Sequence, residues 1–158
     1  MGFEIERKFL VKNDLWRVSA SGKKFYQGYL STIPQRTVRI RIVGEKGYLT
    51  VKGNARGATR LEYEYLIPIS DAQGMLYELC EKPIIEKIRY PIKYKEFVWV
   101  VDEFFGENQG LILAELELTY EDQSFEKPAW VGQEVTQDSK YFNANLVGYP
   151  YLKWYSDV

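Results

Sequence analysis

Polar and apolar residues alternate along many short segments of the chain, which is the pattern of a β-strand with one polar and one apolar face. The first example is FEIERKFLV at residues 3–11, in which Glu4, Glu6 and Lys8 share a face. Similar alternation recurs to about residue 119. The predicted strands are 3–11, 24–30, 37–43, 48–52, 61–67, 84–90, 97–101 and 111–119.

Several predicted strands are joined by short connections. Residues 44–47 contain two glycines between the strands at 37–43 and 48–52, and glycine tolerates the positive φ angles that tight hairpins need. Short connections join strands that lie side by side and run antiparallel. About eight such strands favour a closed antiparallel β-barrel, because closure removes the exposed strand edges.

Two segments depart from the strand pattern. Pro68 interrupts the strand that precedes it, and Ser70 is predicted to cap a helix over residues 70–80. Residues 126–149 are predicted to be mostly helical or irregular, and Pro150 follows them directly. These segments are the candidates for structure packed around the strands.

The polar faces of the strands carry charges of one sign. TVRIRIV places Arg39 and Arg41 on one face, and RLEYEYL does the same with Glu62 and Glu64. A charged face turned to water is the ordinary interpretation, but solvated faces usually mix the two signs because neighbouring like charges repel. Residues i and i+2 lie roughly 7 Å apart, where like charges cost about 2.4 kcal/mol at an effective dielectric of 20. Enclosing such faces therefore requires compensating charge.

Length and composition indicate the class of protein. The chain has 158 residues and no linker, so residues 1–158 are predicted to form a single domain. Its 21 basic and 22 acidic residues give a net charge of -1, so no nucleic acid or membrane partner is expected. Cys80 is the single cysteine and forms no intramolecular disulfide. Without a secretory leader or an apolar run of roughly 20 residues, a cytoplasmic protein is expected.

Missing residue types and motifs narrow the possible chemistry. The chain has no histidine, the side chain that most often acts as acid, base or metal ligand near neutral pH. It also lacks GxxxxGK[ST] and GxGxxG, the common phosphate-binding loops. Catalysis would therefore depend on carboxylates, lysine, arginine and metal ions. Paired carboxylates suit Mg²⁺ or Mn²⁺ and paired basic side chains bind phosphate oxygens, so a site with both would suit a metal-bound polyphosphate.

The motifs EIERK, RIR, TVKG, EYE, EKIR and AELE follow one another along the chain. This ordered set closely resembles the CYTH superfamily, also called triphosphate tunnel metalloenzymes, from residue 3 to about residue 145. The resemblance implies a mainly β (α+β) fold, an eight-stranded antiparallel β-barrel that forms a charged tunnel. It places the charged faces inside and the apolar core outside, beneath helices such as 70–80 and 126–148.

The resemblance also implies roles for the charged residues, with water attacking the terminal phosphorus of a triphosphate in line. The basic residues expected to line the tunnel and hold the substrate are Lys8, Arg39, Arg41, Lys52, Lys87 and Arg89. The acidic residues, several of which are expected to bind Mg²⁺ or Mn²⁺, are Glu4, Glu6, Glu62, Glu64, Asp102, Glu115 and Glu117. The expected catalytic residues are Lys8, Glu115 and Glu117.

Within the superfamily, a short chain with ExExK resembles the small bacterial inorganic tripolyphosphatases. The expected reaction is hydrolysis of tripolyphosphate to pyrophosphate and orthophosphate, with weaker action on nucleoside triphosphates. A class IV-type adenylate cyclase and a thiamine triphosphatase are alternatives, and a polyphosphate-binding protein is the alternative that is not an enzyme. A structural barrel with solvated strand faces is a further possibility. A monomer or homodimer is expected.

Four other features carry weaker expectations. The loop KGNARGATR could offer Arg56 or Arg60 to an anion, although a plain hairpin connection is the simpler interpretation. Tyr29 is either a tunnel-facing aromatic residue or an ordinary packed one. The segment EVTQDSKYFNANL resembles a family segment but departs from it around Lys140, which puts a phosphate-binding role for Lys140 in doubt. Cys80 is expected to be a buried apolar residue.

Overall fold

Nine strands and two short α-helices make up the regular structure of the computed structural model, which describes residues 2–155. The segments predicted to be strands are all strands, with small differences at their ends. One strand, at residues 131–134, was not predicted. The strands are β1 Phe3–Val11, β2 Lys23–Ser31, β3 Thr37–Val43, β4 Lys46–Lys52, β5 Thr59–Ile67, β6 Ile85–Tyr94, β7 Phe97–Phe105, β8 Ile112–Glu117 and β9 Val131–Glu134.

The first eight strands close into an antiparallel barrel, as predicted. Their order is β5-β4-β3-β2-β6-β7-β8-β1, and β1 pairs with β5 to complete the ring. Strand β1 uses one edge for β8, over Glu6–Leu10. Its other edge pairs with β5 over Phe3–Ile5 and then with β9 between Phe9 and Val11. Strand β9 thus covers the length of β1 that β5 does not reach.

The helix predicted over residues 70–80 is present, but it consists of two types of helical turn. Helix α1, Ile69–Gly74, continues into a π-helical turn, Met75–Leu79, and together they cover the predicted helix. The predicted cap at Ser70 is wrong: the helix begins at Ile69 directly after Pro68, with no side-chain cap.

The prediction of a helix over residues 126–148 is wrong. This segment contains β9, a 3₁₀ turn at Ser139–Tyr141 and only one short helix, α2, Asn145–Gly148. The reason is long-range: the open edge of β1 offers backbone partners to β9, and unpaired backbone groups in a buried position are costly. Within residues 2–155, no helix is long and apolar enough to cross a membrane.

Two apolar clusters pack on the outside of the barrel, as predicted. Helix α1 and the π-helical turn cover the outer face of β2 and β3, where a Cβ on Gly28 would lie 2.8 Å from Cβ of Cys80 and 2.9 Å from Leu76 Cδ1. Only glycine permits this close approach, and Cys80 is buried as expected. The second cluster contains Phe9, Trp16, Trp99, Val101, Ala114, Leu116, Leu118, Trp130 and Val131.

A third apolar cluster corrects the expectation that the core lies only outside. Ile85, Phe104 and Leu113 belong to it, and by strand alternation they share the inward face with Lys87, Asp102 and Glu115. Residues from the end of the chain complete this cluster, namely Val135, Leu146 and Val147. One end of the barrel interior is therefore apolar and closed.

Candidate active site

The barrel encloses a cavity of roughly 410 Å³ that is lined mainly by charged side chains. Every charged residue predicted for the site lines this cavity except Asp102. The charged faces therefore point inward. The predicted residues on its walls are Glu4, Glu6, Lys8, Arg39, Arg41, Lys52, Glu62, Glu64, Lys87, Arg89, Glu115 and Glu117.

The carboxylates and most of the cations occupy different parts of the wall; Lys8 on β1 and Arg60 on β5 are the cavity-lining cations that lie among the carboxylates. Strands β8, β1 and β5 are neighbours in the barrel, as are β4, β3, β2 and β6. We call the first arc the acidic wall; it carries Glu115, Glu117, Glu4, Glu6, Glu62 and Glu64. We call the second arc the basic wall; it carries Lys52, Arg39, Arg41, Lys87 and Arg89.

Glu6 and Glu117 are the uncompensated carboxylates of the acidic wall. They face each other directly across the β1–β8 pair, and neither forms a hydrogen bond or ion pair with the described residues. Burial, followed by the charges of Glu115 and Glu4, raises the pKa of Glu6 to about 8. Burial and the charge of Glu4 also raise the pKa of Glu117. Both shifts indicate negative charge that a cation would stabilise.

Other carboxylates of the acidic wall already have cationic partners. Lys52 lies 3.0 Å from both carboxylate oxygens of Glu4 and 3.3 Å from Glu62. Burial opposes ionisation of Glu4, but the charge and hydrogen bonds of Lys52, with the charge of Arg60, together outweigh it and lower the pKa of Glu4. For Glu62, burial and the charge of Glu4 prevail, and its pKa is raised. Lys52 therefore bridges the two walls.

A buried ion-pair network lies behind the cavity and includes Asp102. The Asp102 carboxylate accepts two bonds of 2.8 Å from Arg89 and lies 2.9 Å from Lys87 Nζ. Arg89 also donates to Glu115 at 3.1 Å, and Lys8 Nζ lies 3.2 Å from Glu115. Burial opposes ionisation of both carboxyls, yet the adjacent cations lower the pKa of Asp102 and hold that of Glu115 well below its usual range. Asp102 thus positions Lys87 and Arg89 without reaching the cavity surface.

Arg39 and Arg41 are the least compensated cations of the basic wall. Arg39 donates to Thr50 at 3.0 Å and to Glu64 at 3.2 Å, but its buried Nε has no partner. Arg41 has no carboxylate partner among the described residues. Burial, then the charges of Arg39 and Arg89, lower the pKa of Arg41 to about 9. Buried donors without acceptors suit an incoming anion.

The segment Ser139–Asn145 closes the cavity at the side of Lys8. Lys8 Nζ donates to the Tyr141 carbonyl at 3.3 Å, and the Phe142 ring lies 5.9 Å from Lys8 Nζ. The Asn143 amide oxygen accepts 2.9 Å bonds from Lys87 and Gln27. Sequence reasoning missed Gln27, Phe142 and Asn143 because uncharged side chains carry no sign that marks them as part of the site.

Of the other residues considered in the sequence, some line the cavity and some do not. Tyr29 lines the cavity, and so does Arg60, whereas Arg56 does not. Lys140 stacks on Trp154, with Nζ 4.9 Å from the ring centroid, and does not line the cavity.

The carboxylates of the acidic wall fit a divalent cation that shares its coordination with water and phosphate. Within residues 2–155, no three acidic or cysteine side chains converge closely enough to enclose a metal ion by themselves. Mg²⁺ does not need such a cluster, because one or two carboxylates with waters and phosphate oxygens complete its shell. The facing pair Glu6 and Glu117 is the set with free oxygens.

Comparison with known proteins agrees with this architecture. Residues 2–147 match the CYTH domain model. The chain belongs to the CYTH family. An inorganic triphosphatase of Acetivibrio thermocellus is 52% identical over 151 residues, which cover 96% of this chain and 97% of that protein. An inorganic triphosphatase of Nitrosomonas europaea is 36% identical over 152 residues, which cover 90% and 95%.

The fold agrees as well. The crystal structure of an inorganic triphosphatase superposes with a TM-score of 0.66 at 33% identity and covers 90% of this chain and 96% of that one. CYTH triphosphatases are in general metalloenzymes. Membership of the CYTH family and the barrel fold, both expected from the ordered motifs, are confirmed.

Proposed function

We propose that this chain is a metal-dependent triphosphatase that hydrolyses inorganic tripolyphosphate to pyrophosphate and orthophosphate. The observation that carries the proposal is one enclosed cavity with carboxylates on one wall and arginines and lysines on the other. The CYTH relatives named inorganic triphosphatase support it. We assign the activity to one domain over residues 1–158, present in the cytoplasm as a monomer or homodimer.

The basic wall is the proposed binding surface for the triphosphate. Arg39 and Arg41 present guanidinium donors that the protein leaves unpaired, and a phosphate oxygen is the matching acceptor. The residues assigned to phosphate binding are Lys8, Arg39, Arg41, Lys52, Lys87 and Arg89.

The acidic wall is the proposed site of Mg²⁺ or Mn²⁺. Such a cation, when bound, neutralises phosphate charge and lowers the pKa of water. Glu6 and Glu117 are the first choice of ligands because no other group uses their oxygens. Glu4, Glu62, Glu64 and Glu115 are assigned as further acidic groups around them, and Asp102 is assigned to holding Lys87 and Arg89.

The chain's own residues can perform the remaining tasks of the reaction. The water oxygen attacks the terminal phosphorus, the bond to the bridging oxygen breaks, and pyrophosphate leaves. A carboxylate oxygen of Glu117 can accept the proton of the attacking water. Lys8 and Arg41 can stabilise the negative charge that develops on the phosphate oxygens, and the segment Ser139–Asn145 limits the entry of bulk water from its side.

A substrate panel tests this proposal. Phosphate release is measured from tripolyphosphate, ATP and thiamine triphosphate, each with Mg²⁺, with Mn²⁺ and with a chelator. We expect metal-dependent release with a clear preference for tripolyphosphate and weaker release from ATP. Preference for thiamine triphosphate, or cyclic AMP and pyrophosphate as main products from ATP, would replace the proposed substrate. Tight binding of tripolyphosphate without turnover at any metal concentration would indicate a binding protein.

A further inference from the structure

Strand β2 runs through the middle of the basic wall but contributes no charge to it. Its inward residue Gln27 is completely buried and lies opposite Arg41 in the β2–β3 pair. The Gln27 amide oxygen accepts a 3.2 Å bond from Arg41 Nε. This is the one hydrogen bond that the Arg41 side chain makes with the described residues, so a neutral group orients this buried guanidinium.

Asn143 provides the same arrangement for Lys87. Its amide oxygen accepts 2.9 Å bonds from Lys87 Nζ and from Gln27 Nε2. Gln27 and Asn143 are 116 positions apart in the chain, and their side chains form a continuous bridge from Arg41 to Lys87. Two amide oxygens therefore contact two cations, of which Arg41 has no carboxylate partner among the described residues and Lys87 has Asp102 at 2.9 Å.

The rest of the charged interior shows what the alternative would look like. Arg89 is bound by two carboxylates, Asp102 and Glu115, and its cationic form is strongly stabilised because their charges outweigh its burial and raise its pKa. A guanidinium that is compensated in this way has less attraction left for an anionic ligand. Arg41 is instead held by the amide dipole of Gln27, which fixes its geometry and leaves its charge uncompensated. Asn143 gives Lys87 a second, uncharged partner beside Asp102, the carboxylate that Lys87 shares with Arg89.

We propose that Gln27 and Asn143 are positioning residues that hold Arg41 and Lys87 in place for the triphosphate without adding negative charge to the basic wall. The inference rests on the proposed function for the identity of the ligand. Two uncharged residues would thereby determine how much of the positive charge in the basic wall is available to phosphate. A purely structural role predicts that an isosteric charged replacement affects folding and binding together or affects neither.

The test uses the nearly isosteric variants Gln27→Glu and Asn143→Asp, with Gln109→Glu as control. Gln109 is exposed, lies outside the cavity and gives the same change in charge. Tripolyphosphate binding is measured by isothermal titration calorimetry with a chelator present, so that no turnover occurs, and the thermal midpoint of each free protein is measured beside it. Using two variants covers the case in which one of them fails to fold.

We expect both site variants to bind tripolyphosphate about 100-fold more weakly, because each new carboxylate pairs with a cation and repels the ligand. The thermal midpoints should stay within about 2 °C of wild type or rise. A third variant, Gln27→Met, removes the acceptor without adding charge and should weaken binding only about 10-fold. The control should bind like wild type.

Two results would overturn the inference: affinities of both site variants within about threefold of wild type, or weakened binding that tracks loss of thermal stability. If wild type turns over tripolyphosphate normally but the site variants bind it with unchanged affinity, this inference is wrong and the proposed function stands. If the site variants bind tripolyphosphate more weakly but wild type does not turn it over, the proposed function is wrong and the roles of Gln27 and Asn143 are supported.

Discussion

The acidic and basic walls solve the same physical problem in different ways. Each gathers like charges inside one barrel, where repulsion is stronger than in water. In the acidic wall, Lys52 compensates Glu4 and Glu62, while Glu6 and Glu117 stay uncompensated. In the basic wall, Asp102 compensates Lys87 and Arg89, while Arg41 has only the amide of Gln27. Each wall therefore contains charged groups that have no partner of opposite charge among the described residues.

The comparison indicates which charged groups of the barrel interior are available to a ligand. Groups that are already paired maintain the fold and the geometry, and groups left without a partner mark the sites that an ion completes. The carboxylates without a partner, Glu6 and Glu117, would be stabilised by a cation, and Arg41, the guanidinium without a carboxylate partner, would be stabilised by an anion. The four predictions below separate these roles.

The largest effect is expected from the uncompensated carboxylates. Glu117→Gln and Glu6→Gln should each lower kcat/KM for tripolyphosphate about 1,000-fold, because the divalent cation loses a charged ligand. Tripolyphosphate affinity in a chelator should stay the same or increase, since repulsion falls. Steady-state kinetics and calorimetry measure the two quantities.

Glu107→Gln is the matched control for these two variants, because Glu107 is exposed and lies outside the cavity. It should behave like wild type. If Glu117→Gln and Glu6→Gln retain more than about a tenth of the activity, the assignment of the metal to this wall is wrong.

The buried pairs should matter most for stability. Asp102→Asn removes the charge that compensates Lys87 and Arg89, and breaking such a buried pair costs about 3 kcal/mol in free energy of unfolding. Urea denaturation monitored by tryptophan fluorescence measures this loss. Asp122→Asn, at an exposed position, is the control and should unfold like wild type. A loss below about 1 kcal/mol would mean that the network adds little to the fold.

Arg39 should affect the anion and not the cation. Arg39→Ala removes a charge-assisted donor, so tripolyphosphate affinity in a chelator should fall about 30-fold, whereas Mn²⁺ affinity should not decrease. Arg56→Ala is the matched control, because Arg56 carries the same charge outside the cavity. Equal losses in Arg39→Ala and Arg56→Ala would show that general positive charge, and not the basic wall, attracts the ligand.

The smallest effect belongs to a pair outside the barrel. Arg7 donates to the Glu134 carboxylate, and these bonds lower the pKa of Glu134. The pair should stabilise the protein by less than about 1 kcal/mol, because both side chains are partly exposed. The contribution is present above the ordinary pKa of about 4.5 and is lost as pH falls through the folded value.

The Arg7–Glu134 pair provides a partly exposed reference against which the stabilisation by the buried ion pairs can be compared. The difference in unfolding free energy between wild type and Glu134→Gln should be measurable at pH 7 and smaller at pH 3. A difference that grows toward low pH would have the wrong sign for a carboxyl with a lowered pKa.

The alternation of charged and apolar residues was enough to predict the strands and their charged faces. The inward direction of those faces came from the resemblance to the CYTH family, and Glu6, Arg41 and Glu117 do line the cavity, because one inward residue fixes the direction of every second residue in its strand. The alternation left the direction of the faces open. It could not separate Asp102 from the cavity-lining carboxylates, since that depends on which cations Asp102 meets across the barrel.

Contacts between distant parts of the chain account for what the sequence did not reveal. Strand β9 forms because the edge of β1 is open, and residues 126–148 show no sign of that edge. No sequence pattern distinguishes Gln27 and Asn143 from other amide residues. Their proposed role depends on the hydrogen bond between them and on their bonds with Arg41 and Lys87. Propensity and periodicity describe local structure and carry no information about side-chain contacts between distant parts of the chain.

The most direct test of the division between the walls is a crystal structure with Mn²⁺ and a nonhydrolysable triphosphate analogue. Anomalous scattering locates the manganese without ambiguity. We predict an anomalous peak between the carboxylates of Glu6 and Glu117, with the phosphate chain against Arg39 and Arg41. Manganese bound away from the acidic wall, or phosphates that contact none of the basic wall, would contradict the account.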